Sequence, residues 1–256
     1  MISTLRSEWI KLRTIRMNWV LVAIALAFPL IVSALFVAFS EAGSFDGADI
    51  FRLLSFTAVV TTMLLGVVGA TTITGEFGFN TIRPTFAATP KRLRVILAKM
   101  LVVIVVGIVT MTLVVVAGLG LCTAIASARD VEVDLGAVEA LVPACVGLVA
   151  FGTILTVFGL ALGSILRSTP VAVAALILWP LLVESIVSVI LSAVGIDNAS
   201  RWMPYGAGTQ LWSLESPDAM SGVTEGLGRV GGGLYFGGVV MALLLVGSVF
   251  VSRRDA

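Results

Sequence analysis

Five runs of 23 to 29 residues in this 256-residue chain contain no Asp, Glu, Lys or Arg, and a sixth, residues 168–196, is interrupted only by Glu184. A helix that crosses a bilayer needs about 20 mostly apolar residues. In hydrocarbon the backbone must satisfy its own polar groups, which leaves helices or a closed barrel. Barrel strands alternate apolar and polar residues, whereas 101–106 and 113–117 are continuously apolar. The composition, 59% hydrophobic and 12% charged, agrees.

The expected fold is therefore all-α and integral to the membrane, a single transmembrane domain over residues 1–256. Its spans are placed at 18–40, 53–74, 95–127, 139–166, 170–195 and 231–252. An amphipathic interfacial helix occupies 1–16, a loop fills 75–94, and 197–229 forms an outer loop with short helices. That last connection is too short for a domain of its own. The first span could be taken for a secretory signal, but its apolar run exceeds the usual h-region and lacks an A-x-A site, so it is expected to stay as an anchor.

Charge orients the spans. Segments 1–16, 76–99, Arg167 and 253–256 hold 12 of the 16 Lys and Arg and three of the 15 acids. The opposite side holds four Arg and 11 acids. Basic loops stay in the cytoplasm, which places both termini there. Arg outnumbers Lys 13 to 3 and Ala, Val and Gly are abundant, a composition that points to a GC-rich bacterial genome, so the expected location is a bacterial plasma (inner) membrane.

In 1–16, Ile2, Leu5, Trp9, Leu12 and Ile15 recur at helical spacing, with Arg6, Lys11, Arg13 and Arg16 around the rest. Such a helix lies on the membrane with its cations toward anionic lipid headgroups. Arg6, Trp9, Lys11 and Arg13 make it either a plain anchor or an elbow between the bundle and a docked partner. In 75–94 one acid, Glu76, stands among Phe77, Phe79, Ile82 and Phe86, followed by a basic run. Large apolar residues in a polar loop form a docking surface, or they rest on the inner rim of the bundle. Arg83-Pro84 restricts the backbone there, and Thr89-Pro90 reads as a helix start.

Gly159 and Gly163 form a G-x-x-x-G pair that lets another helix come close, within the chain or from a second copy. Pro180 predicts an irregular fifth span. Glu184 must be paired, hydrated or protonated inside the bilayer, as a structural hydrogen-bond partner, a proton relay or a substrate ligand. Trp202, Met203, Pro204, Tyr205 and Trp212 are too apolar for a freely solvated loop and predict a re-entrant or surface-lying element.

Some chemistry is excluded. No histidine is present, which removes histidine triads and H-E-x-x-H sites. No Gly-Lys pair exists for a Walker A loop. The formal G-x-G-x-x-G at 226–231 has no room for a βαβ unit. Cys122 and Cys145 flank an outer turn, and spacing alone does not pair them. No metal or nucleic-acid site is expected.

Several motifs resemble the ABC-2 type permeases, six-span membrane subunits of bacterial ABC half-transporters. They are Ser7-Glu8-Trp9-Ile10-Lys11-Leu12-Arg13, Gly75-Glu76 with Thr81-Ile82-Arg83, Ala87-Ala88-Thr89-Pro90-Lys91-Arg92, Ala98-Lys99, and Trp179-Pro180-Leu181 with Glu184. Asn80 and Pro84 depart from the family pattern. The resemblance implies a coupling helix over 76–89, with Glu76, Phe77, Phe79, Asn80, Thr81, Ile82, Arg83 and Phe86 contacting an ATPase. It further implies a connecting helix at the start and outer gate helices at Trp202 to Trp212. The implied partners are two copies of a cytoplasmic ABC ATPase, which would bring ATP and Mg, and a second permease copy as homodimer or heterodimer. No cofactor and no catalytic residue are implied for this chain itself. The implied activity is export of a hydrophobic or amphipathic substrate. The alternatives are an ion- or proton-coupled carrier using Glu184, and an integral membrane enzyme.

Overall fold

The protein is described here by a computed structural model covering residues 2–41, 46–79, 81, 92–195, 202–214 and 227–253. Among these residues the elements are all helical. They run α1 (Ile2–Thr14), α2 (Arg16–Phe39), α3 (Gly47–Gly78), α4 (Arg92–Ser127) and α5 (Leu141–Leu166). Next come α6 (Thr169–Leu178), a π-helical turn (Trp179–Val183) and α7 (Glu184–Ala193), then α8 (Pro204–Thr209) with a 3-10 turn (Gln210–Trp212), and α9 (Gly228–Arg253). Helices α2, α3, α4, α5, α6–α7 and α9 are long and apolar enough to span, and the fold is all-α and integral to the membrane.

Helices α3 and α5 form the centre. Their most apolar windows are 61% and 67% buried, against 22% for α2 and 11% for α6–α7. Small residues decide this arrangement, because a membrane offers no hydrophobic drive between helices and close backbone contact must supply the attraction. A Cβ at Gly159 would stand 1.8 Å from the Gly66 carbonyl oxygen, and one at Gly69 2.0 Å from that of Thr156. The G-x-x-x-G pair is thus spent inside the chain, on α3. Around it Phe151, Leu155, Phe158 and Leu160 of α5 join Leu176 and Phe236 in the core.

Helix α3 starts at Gly47, six residues before the expected span at 53. Asp46 accepts a hydrogen bond from the Asp49 N–H at 2.8 Å while Asp49 accepts from the Asp46 N–H at 3.2 Å, a capping box that starts the helix among charges. At its other end α3 runs on to Gly78, so Gly75, Glu76 and Phe77 are helical and not part of the loop expected at 75–94. The cause is electrostatic, since the Glu76 charge that seemed to end the span is neutralised by two lysines (below).

Pro29 lies within α2 and cannot donate to the carbonyl four residues earlier. That carbonyl, on Ala25, instead accepts a 2.6 Å hydrogen bond from Thr61 of α3. At the end of α2, Arg129 donates to the carbonyls of Val37 and Ser40, satisfying acceptors that a helix terminus leaves free. The irregularity expected at Pro180 takes the form of the π-helical turn. Cys122 and Cys145 are both free thiols.

Candidate functional site

The bundle has a basic end, carrying α1, the end of α3 and the start of α4, and an acidic end. At the basic end, four charges from three helices meet. Lys99 of α4 donates from Nζ to Glu8 Oε2 of α1 at 2.6 Å, to Glu76 Oε1 of α3 at 2.8 Å and to the Thr72 carbonyl at 2.9 Å. Lys11 of α1 donates to Glu8 Oε1 at 2.8 Å and to the same Glu76 Oε1 at 2.7 Å. Both ammonium groups therefore converge on one oxygen, and Glu76 Oε2 is buried without a hydrogen-bond partner among the described residues.

Two acids and two bases cancel, which is the condition under which charges tolerate burial. Lys99 is only 2% exposed and Glu8 5%. Removing one member of such a set leaves an uncompensated charge and costs about 3–5 kcal/mol. Burial opposes the charge on Lys11, yet the hydrogen bonds and charges of Glu76 and Glu8 outweigh it and raise its pKa above the ordinary lysine value. Beside the cluster lies a cavity of about 320 Å³ lined by Lys11, Thr14, Asn18, Thr72, Glu76 and Phe79, among others.

The cluster fixes the inward face of α1, which is Leu5, Glu8 and Leu12, while Trp9 and Ile15 are each 44% exposed within the chain, as residues that face lipid would be. The bonds from Lys99 of α4 to Glu8 and from Lys11 to Glu76 of α3 hold that face inward. Arg6 and Arg13 are exposed, and Lys11 is half-buried. The turn between α1 and α2 is fixed by Trp19, whose indole N–H donates to the Arg13 carbonyl at 2.7 Å, and by buried Asn18, which accepts from Thr71 of α3 at 3.2 Å.

The residues grouped at 76–86 divide. Glu76 points into the cluster. Phe77 packs against the core with the Arg167 guanidinium 5.2 Å from its ring centroid, so neither side chain is presented as an open loop would present it. Phe79 is 84% exposed, and the Thr81 N–H donates to the Glu76 carbonyl at 2.9 Å. Asn80, Ile82, Arg83 and Phe86 lie outside the described residues.

Nearer the acidic end, Glu184 accepts three N–H donors: Trp179 Nε1 at 2.9 Å, the Tyr205 backbone at 2.7 Å and the Gly206 backbone at 3.0 Å. Its carboxylate thus caps α8 from another helix, doing what the unused side chain of Met203 at the N-cap does not. Tyr205 meets the Phe151 ring edge-on at 5.3 Å. Phe151 is ten residues into α5, so α8 lies roughly 15 Å along that helix. Glycine makes the room: a Cβ at Gly232 would stand 2.2 Å from the Ala207 carbonyl oxygen, and one at Gly147 1.8 Å from that of Leu211. Trp202 is exposed, with its ring edge-on to Tyr235, and Trp212 is half-buried against the core.

Sequence reasoning singled out Glu76, Lys11 and Glu184 but overlooked Glu8 and Lys99 as members of one site. For Lys99 the signal was present, a cation within the expected third span, whereas nothing along the chain sets Glu8 apart from the other charges of the first helix.

Six spanning helices among the described residues define a multi-pass membrane protein. Residues 4–196, about three quarters of the chain, match the family model described as ABC-2 family transporter protein. The chain belongs to that family, and it is an ABC transporter permease. No curated protein matches it.

Proposed function

We propose that the chain pairs with a second permease copy and with two copies of a separate cytoplasmic ATPase, and that the assembly exports a hydrophobic or amphipathic substrate. The basic end then faces the cytoplasm of a bacterial cell and both termini lie there, in keeping with the charge asymmetry. Having no Walker A lysine, this chain takes its energy from ATP and Mg bound by the partner.

The observation that carries the proposal is the contrast between Glu76 and Phe79. A buried, doubly bridged carboxylate is followed within one helical turn by a ring that is 84% exposed. An exposed aromatic beside a rigid anchor suits a residue that inserts into a partner's cleft, since aromatics are frequent interface hot spots. Phe79 with Asn80, Thr81, Ile82, Arg83 and Phe86 makes the ATPase contact on this account, and Glu76 and Phe77 anchor that segment to the bundle. The second copy packs on the little-buried faces of α2 and α6–α7. α8 with Trp202, Met203 and Tyr205 acts as the outer gate. ATP binding pulls the two contacts together and shifts the population between inward- and outward-open packings.

The test is co-expression with a cytoplasmic ABC ATPase of the same genome, purification in mild detergent and transport assay in proteoliposomes. Co-purification and ATP-driven transport are expected. Truncating a hot spot costs about 2 kcal/mol, roughly 30-fold in affinity, so Phe79→Ala should weaken ATPase binding by that order without loss of fold. Transport by the permease alone, or full ATPase binding by Phe79→Ala, rejects the assignment.

A further inference from the structure

The four-charge cluster joins α1 to the end of α3, a pair with little direct packing between them. Helix α1 packs on α4 and on the start of α2, and what reaches from it to the end of α3 is the Lys11 ammonium on Glu76, with Glu8 meeting Glu76 through Lys99. Glu76 stands three residues before Phe79. We infer that Glu8, Lys11 and Lys99 are positioning residues that bind α1, the end of α3 and the start of α4 into one moving body, so that force arriving at the segment after Glu76 swings α1 with it. This rests on the coupling role proposed above for that segment.

Three properties support the inference. Burial of Lys99 and Glu8 excludes water that would screen the pairs. Convergence of both lysines on Glu76 Oε1 makes that oxygen the common node of the three helices. The Asn18–Thr71 hydrogen bond and the Trp19–Arg13 bond stiffen the turn into α2, so motion of α1 passes to the first span and is not absorbed at Ile15.

Charge balance allows a test that separates coupling from folding. Two double variants each remove one acid and one base and leave one ion pair. Glu8→Leu with Lys99→Met keeps Lys11–Glu76, which still spans α1 and α3. Glu8→Leu with Lys11→Met keeps Glu76–Lys99, which no longer touches α1, because residue 8 then has no oxygen to accept from Lys99. Both are read for transport per ATP hydrolysed, with the ATPase, and for mobility of a spin label at position 6, introduced by Arg6→Cys in a background with Cys122 and Cys145 changed to Ser.

Couplings between sites usually correspond to about 5- to 150-fold, so transport per ATP is expected to be at least about fivefold lower in the variant that frees α1, with a more mobile label. A merely structural role would lower folding yield in both variants without separating their transport ratios. Equal ratios and equal label mobility overturn the inference. Should the wild-type chain with its ATPase show no ATP-driven transport, the proposed function fails instead, and the label mobility still decides whether the bridge holds α1.

Discussion

The carboxylate of Glu184 accepts a 2.7 Å hydrogen bond from the backbone N–H of Tyr205, linking the middle of the fifth span to the first turn of α8. With Trp179 and Gly206 also donating, its lone pairs are committed to holding that helix. Glu184→Ala leaves two backbone N–H groups and an indole N–H without an acceptor, each worth about 1–3 kcal/mol when buried. The expected result is a clear fall in melting temperature in detergent and faster hydrogen exchange over 204–212. Glu184→Gln recovers part of both, because one oxygen remains while the amide NH2 opposes a donor. Unchanged exchange in Glu184→Ala would mean that packing alone seats α8.

At Gly159 the contact with Gly66 leaves no space for a methyl group, and the obstruction is backbone. Gly159→Ala must push α3 and α5 apart along their whole contact, so its cost should exceed the ~1–3 kcal/mol typical of overpacking. Gly120 of α4 is the control, because a Cβ there meets nothing within 4 Å. Gly120→Ala should be neutral or stabilising by up to about 1 kcal/mol, as expected for glycine in a helix. Comparable thermal unfolding of the two variants would refute the close contact.

Thr61 and Pro29 form a compensating pair across α2 and α3. Thr61→Val removes the donor to the Ala25 carbonyl, a loss of about 1–3 kcal/mol for a buried acceptor. Pro29→Ala restores an N–H that can serve the same carbonyl. The double variant should therefore be more stable than the sum of the single changes, with a coupling of about 0.5–3 kcal/mol, the range found for groups sharing a partner. An additive cycle would show that the carbonyl is satisfied in another way.

The spans, the irregular fifth helix and the asymmetry of charge were legible in the sequence because each follows from a local property, either a charge-free run, a proline or a count along the chain. What was not legible depends on partners far apart in sequence. Glu76 read as the start of a loop because a carboxylate ends an apolar run, and nothing local indicates that Lys99, 23 residues on, and Lys11, 65 residues back, would cancel it. Gly159 read as a contact within the chain sooner than between chains, and Gly66 standing opposite bears that out, though no local pattern names Gly66 as the partner. The inward place of Glu8 on α1 was missed for the same reason, since hydrophobic periodicity gives no weight to Glu8, whose partner Lys99 lies on another helix.

Lys11 offers a check of the cluster by pH. Its pKa is raised above the ordinary 10.5 by Glu76 and Glu8 against the opposing effect of burial, so the folded state holds its proton more tightly than the unfolded chain does. The sign follows from linkage: the stabilising contribution is complete below pH 10.5 and is lost as pH rises through the raised value. Lys11→Met removes that contribution at every pH while keeping Glu8, Glu76 and Lys99, the charged groups that face it among the described residues. The melting-temperature gap between wild type and Lys11→Met, measured in detergent, should be constant from neutral pH to about 10 and should narrow above it. A gap that closes already at neutral pH would mean that Lys11 is not held by the two carboxylates, and a gap that persists undiminished at the alkaline end would trace its contribution to the apolar stem and not to the charge.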